Sequence, residues 1–189
     1  GAKPVFVDVL PNTGNIDPEK IKKAINQRTK AIIPVHMYGH MADMEKISNI
    51  AKKHKLKVLE DCAHCIEGSR NNIRPSHLSD AAVFSFYVTK NISCGEGGAV
   101  STNNKNLANK IRRLRLHGMS TSSSERYTKG FKQYEVEEAG YKANMFDLQA
   151  SLLLPQLEKI DFYRNERKRI VQIYIESFNS NPNIDFPSV

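Results

Sequence analysis

No stretch of the 189-residue sequence approaches the roughly 18 consecutive apolar residues of a membrane-spanning helix. Residues 1–9 lack the basic start and long apolar run of a secretory signal, so the expected location is cytoplasmic. Cysteine is scarce: Cys62, Cys65 and Cys94 form an odd count in a chain without an export signal. That argues against a disulfide framework and predicts reduced thiols. Aromatics are few, and no basic run is interleaved with stacking rings. A net charge of +8 therefore does not read as nucleic-acid binding. Many of the 28 basic residues fall in runs such as "EKIKKAINQRTK" and "NLANKIRRLRLH", where apolar positions at helical spacing need polar neighbours. The charge reads as a solvated surface or as a match for a phosphate-bearing small molecule.

What is present alternates. "PVFVDV" predicts a strand, "DPEKIKKAINQ" a helix capped by Asp17 with Pro18 at its first position, and "KAIIPVHMYG" a buried apolar strand. "MADMEKISNIAKKHK" predicts a helix, "KVLEDC" a strand, "SRNNIRPSHLSD" a polar loop, and "AAVFSFY" and "GGAVST" two short strands. Strands alternating with helices define an α/β class with substantial parallel content. After Thr102 a helix runs to a stop at Gly118, and a long polar loop extends to about residue 144. From Met145 to about Asn179 helical spacing returns, with an offset expected at Pro155. The chain begins on a strand and ends just after a long helix, so a segment of a longer protein is expected.

Ligands of such sheets collect at the carboxyl ends of strands. Asp61 ends an apolar strand, where its carboxylate needs a partner; capping a helix from Ala63 is the plain structural alternative. Lys90 follows Ser85 by five positions and precedes glycines at 95, 97 and 98, which permit positive φ and close approach. Partial burial lowers an amine's pKa and makes it a nucleophile toward carbonyls. A nearby aspartate suits a protonated pyridine nitrogen. Cys62, His64 and Cys65 in "CAHC" invite a zinc or redox reading, weakened by the lack of a fourth ligand. His36 and His117 either touch substrate or are satisfied by backbone carbonyls.

The stretches "PVFVDVLPNTGNIDPEKIKKAI", "IIPVHMYGHMADM", "VLEDCAHCIEG", "FSFYVTKNISCGEGGAV", "LRLHG" and "GYKANMFDLQASLLLPQLEKID" resemble, in order and spacing, the DegT/DnrJ/EryC1/StrS family of sugar aminotransferases. The resemblance runs over about residues 1 to 170. It implies an aspartate aminotransferase-like fold (fold type I), with residues 1–155 forming the major part of a large domain that binds pyridoxal 5′-phosphate. Residues 156–189 would be a long linking helix and the start of a small domain. It further implies transfer of an amino group, usually from glutamate, to a keto group of a nucleotide-linked sugar. By resemblance, Lys90 is the amine that bonds the cofactor, Asp61 pairs with its ring nitrogen and His64 packs beside the ring. Ser85 meets the phosphate, and Asn144 reaches the cofactor of a neighbouring subunit, which implies a homodimer. Relatives with histidine in place of the lysine remove a sugar hydroxyl, so Lys90 favours amino transfer over dehydration. A same-fold binding protein or an incomplete catalytic unit is the remaining alternative, because the family's amino-terminal segment and most of its small domain have no counterpart in this sequence.

Overall fold

The computed structural model describes residues 1–120 and 135–187. Helix α1 (Pro18–Ala24) begins where the Asp17 carboxylate accepts the Glu19 N–H at 2.8 Å, and Pro18 sits where a free N–H would be unpaired anyway. Helix α2 (Met44–His54) starts the same way, with Asp43 accepting the Lys46 N–H at 3.1 Å. It ends at Lys55 in the left-handed region (φ 55°). Strands β1 (Ala31–Ile32), β2 (Lys57–Asp61), β3 (Ala81–Ser85) and β4 (Gly98–Ser101) pair in that order. The first two pairings are parallel and the last is antiparallel, so the sheet is mixed.

Two expected strands come out differently. "PVFVDV" forms no strand: among the described residues its only pairing is the isolated Val9–Ile16 bridge, and Phe6 is 93% exposed. A strand requires a neighbour's N–H and C=O groups, and residues 4–7 meet none among the described residues. "KAIIPVHMYG" contributes only two ladder residues because Pro34 has no N–H to give. Contact resumes one residue later, where the His36 N–H reaches the Asp61 carbonyl at 3.0 Å and the Asp61 N–H reaches Pro34 at 2.9 Å. The segment is also buried on one side only. Ile32, Pro34 and His36 are covered, whereas Ile33 and Val35 are exposed.

The covered face carries the main core, in which Ile21 of α1 and Ile47 and Ile50 of α2 pack with Ile32 and Val58. A second cluster of Phe86, Ile92, Cys94 and Leu153 lies under the turn after β3. Helix α3 (Lys105–Leu114) begins at the Asn104 cap and ends before Gly118, so that glycine is not its stop. Gly118 (φ 77°) instead passes so close to the Glu138 carbonyl that a Cβ would collide with it. Of the expected long polar loop, residues 121–134 lie outside the described residues; its flanks meet at the Met119–Val136 and Leu116–Lys142 bridges. The periodic stretch beyond Met145 is three helices, α4 (Asp147–Ser151), α5 (Leu154–Glu158) and α6 (Ile160–Phe178). Pro155 falls in the first turn of α5, where a missing N–H costs no helix bond. No helix among the described residues is long and apolar enough to cross a membrane.

Candidate active site

Alternation along β2 sends Val58 and Glu60 toward the helix-covered face and Leu59 and Asp61 toward the other. Asp61 is in register with Val83, so Ser85, two residues on, shares the Asp61 face. An acid and a hydroxyl thus end neighbouring parallel strands at their carboxyl termini, on the face that no described helix covers. Asp61 is half-buried, and its Oδ1 accepts the Ala63 N–H at 3.0 Å. No helix follows that bond, so capping does not account for the residue. Among the described residues, Asp61 Oδ2 receives no hydrogen bond. Ser85 Oγ accepts the Tyr87 N–H at 3.3 Å.

Lys90 sits on a turn pinned at its base and on both sides. At the base, the Phe86 N–H reaches the Gly97 carbonyl at 2.8 Å, and the Phe86 carbonyl receives the Cys94 N–H at 3.0 Å. Ile92 anchors the turn in the second core. Gln156 of α5 accepts the Ser93 N–H at 3.0 Å and donates to the Ser93 carbonyl at 2.8 Å. On the other side Asn91 donates to Glu67 at 2.8 Å. The Lys90 N–H bonds the Tyr87 carbonyl at 2.9 Å, and its half-buried side chain makes no ion pair with a described residue. Only Gly95 of the three glycines has positive φ (85°). Gly97 is there for space, since a Cβ would come within 2.7 Å of Cys94 Sγ and Met145 Sδ.

The "CAHC" residues diverge. The His64 ring is exposed and stacks on Tyr38 at 5.6 Å and 18°, while Cys62 and Cys65 are buried. They are therefore not a shared metal set. Burial, reinforced by the charge of Glu67, pushes the Cys65 thiol up to about 12, and burial raises Cys62 as well, which makes both inert at neutral pH. The ligand atoms that do converge, within 4.8 Å, belong to His36, Glu60 and Cys62. His36 Nδ1 accepts the Ala42 N–H at 3.1 Å, so it carries no proton, and the neutral ring must hold its proton on Nε2. Nε2 then donates to Glu60 at 2.7 Å, leaving neither nitrogen a free lone pair for a metal. Burial pushes the Glu60 carboxyl up, but bonds from His36, Ser79 and the Ser76 N–H outweigh it and hold the group below its ordinary value. His36 is thus satisfied by a carboxylate and a backbone N–H rather than by carbonyls. The sequence signal for this pair was Glu60 itself, a charged residue at an inward strand position. His117 is exposed, and Asn144 is half-buried just before α4.

The mixed sheet flanked by helices is that of the aspartate aminotransferase-like fold (fold type I). Within that class, the chain belongs to the DegT/DnrJ/EryC1/StrS aminotransferase family, whose model matches residues 1–188. It is 46% identical over 190 residues to the spore coat polysaccharide biosynthesis protein SpsC of Bacillus subtilis, covering 100% of this chain and 49% of SpsC. Helicobacter pylori PseC, an aminotransferase involved in the biosynthesis of pseudoaminic acid, matches with a TM-score of 0.88 and 35% identity over 95% of this chain and 46% of its own. S. venezuelae DesV, solved in complex with a ketimine intermediate, matches with a TM-score of 0.90 and 33% identity over 100% of this chain and 48% of its own. The chain spans about half the length of the curated relatives it matches.

Proposed function

We propose that the protein to which this chain belongs is a pyridoxal phosphate-dependent aminotransferase that moves an amino group, from glutamate, onto a keto carbon of a nucleotide-linked sugar. The observation that carries the reading is the placement of Asp61 and Ser85 on one face at the carboxyl ends of adjacent parallel strands, with the Lys90 turn leaving β3 directly after Ser85. The donor set fits the cofactor, because Asp61 keeps an oxygen that no described residue engages and Lys90 has no described acid to neutralise it. Bound there, the cofactor supplies an electron sink for the carbon that loses its proton.

Each side chain has a role its chemistry allows. Asp61 would accept a hydrogen bond from the ring N–H and so keep that nitrogen protonated and charged; Ser85 would donate its hydroxyl hydrogen to the phosphate. Lys90 would hold the cofactor and, with its amine free, would take and return the proton as base and acid. His64, stacked on Tyr38, would flank the ring. Asn144 reaches the cofactor of a second copy, so the working unit is a homodimer. Residues 1–155 belong to the cofactor-binding domain, and residues 156–189 lead into a second, smaller one.

Adding pyridoxal phosphate to the whole protein is expected to give a visible absorption band, and borohydride is expected to fix the label on Lys90. Lys90→Ala should abolish both. Label fixed on a different lysine, with the band intact in Lys90→Ala, contradicts the assignment. Amino transfer is then scored directly, as nitrogen on the sugar product and not as free ammonia.

A further inference from the structure

The Glu67 carboxylate is not used by the roles above, yet its side chain is only 11% exposed. It stands six residues beyond Asp61, on the turn that leaves β2. Its Oε1 accepts the Asn91 amide at 2.8 Å and also receives Nη2 of Arg167, from α6. Asn91 directly follows Lys90. One oxygen therefore ties together the turn after Asp61, the turn that carries Lys90, and a helix 100 residues further along. The second oxygen, Oε2, is buried without a partner among the described residues, and so is Nε of Arg164, one turn before Arg167 on α6. Burying a carboxylate with one oxygen unsatisfied is costly, and an apolar contact would join the same segments at less cost. What an apolar contact lacks is direction: an acceptor oxygen fixes where the Asn91 amide, and hence the adjoining Lys90 backbone, must lie. Gln156 fixes the opposite side of the turn through Ser93, so Lys90 is carried between two hydrogen-bonded clamps.

We infer that Glu67 is a positioning residue that, through Asn91 and Arg167, sets the location of the Lys90 turn and links it to α6. The inference rests on the reading of Lys90 as the cofactor's amine.

The test uses the whole protein and follows the rate at which added pyridoxal phosphate develops its Lys90-linked visible band. Glu67→Ala is expected to slow band formation by at least tenfold, toward the roughly 10²-fold that a misplacement of about 1 Å costs. Glu67→Gln keeps an acceptor oxygen for Asn91 and Arg167 and should restore most of the rate. Asn91→Ala should reproduce the loss, and combining it with Glu67→Ala should add little. Unchanged rates in Glu67→Ala and Asn91→Ala overturn the inference while leaving the reading of Lys90 standing. A loss that follows only the fall in thermal stability, without rescue by Glu67→Gln, overturns it too. If Glu67→Ala does not fold, Asn91→Ala and Glu67→Gln decide by the same criteria. A wild-type protein that forms no Lys90-linked band removes the underlying reading and this inference with it.

Discussion

His36 and Glu60 show how much one buried pair settles. A single backbone N–H, from Ala42, fixes the tautomer of His36 and so makes its other nitrogen a donor to Glu60. With Ser76 and Ser79 also donating, the carboxylate directly beside Asp61 in β2 is well satisfied, and its own strand is locked to the segment that carries His36. His36→Leu leaves that carboxylate short of a donor in the core and is expected to cost about 3 kcal/mol at neutral pH, measured by urea unfolding. The pH dependence follows from the sign of the shift. The Glu60 carboxyl lies below its ordinary 4.5 in the folded state, so its contribution is complete above that value and drains away as pH falls through the lower folded one. Stability should therefore decline on acidification below about pH 4.5, and Glu60→Gln should flatten that part of the profile.

At the scale of elements, short helices do the placing. α5 is five residues long, too short to be stable alone, yet its Gln156 closes two hydrogen bonds on the Ser93 backbone and its neighbour Leu153 fills the core beneath the Lys90 turn. Gln156→Ala removes both bonds, and a loss of about 1–2 kcal/mol is expected, localised to the turn. Hydrogen exchange at the Ser93 amide should then quicken by about tenfold, with the amides of α2 unaffected. Pro155 sits in the first turn of α5, where its fixed φ and missing N–H suit a helix start. Sequence periodicity caught the helical character of residues 145–179 and an offset at Pro155, but not the further break at Lys159 between α5 and α6, because a period reports faces and not where a helix ends.

For the whole molecule, the two faces of the sheet are unequal. α1 and α2 cover one, while Ile33, Val35, Leu59, Val83 and Val100 stand exposed on the other, the face that also holds Asp61 and Ser85. An apolar surface of that kind binds hydrophobic dyes. This chain should enhance the fluorescence of anilinonaphthalene sulfonate, and Val83→Lys should reduce the signal while the circular dichroism stays native. The sequence by itself determined the class, the helix start at Asp17, the strand end at Asp61, and the family, because caps, periods and ordered motifs are local properties. It did not determine that residues 4–7 would lack a strand partner among the described residues, that Pro34 would interrupt β1, or that His36 would meet Glu60. Nor did it reveal that Glu67 would gather Asn91 and Arg167 onto one oxygen. Those outcomes depend on which segments meet across long separations, and only the packed chain brings their donors and acceptors within reach.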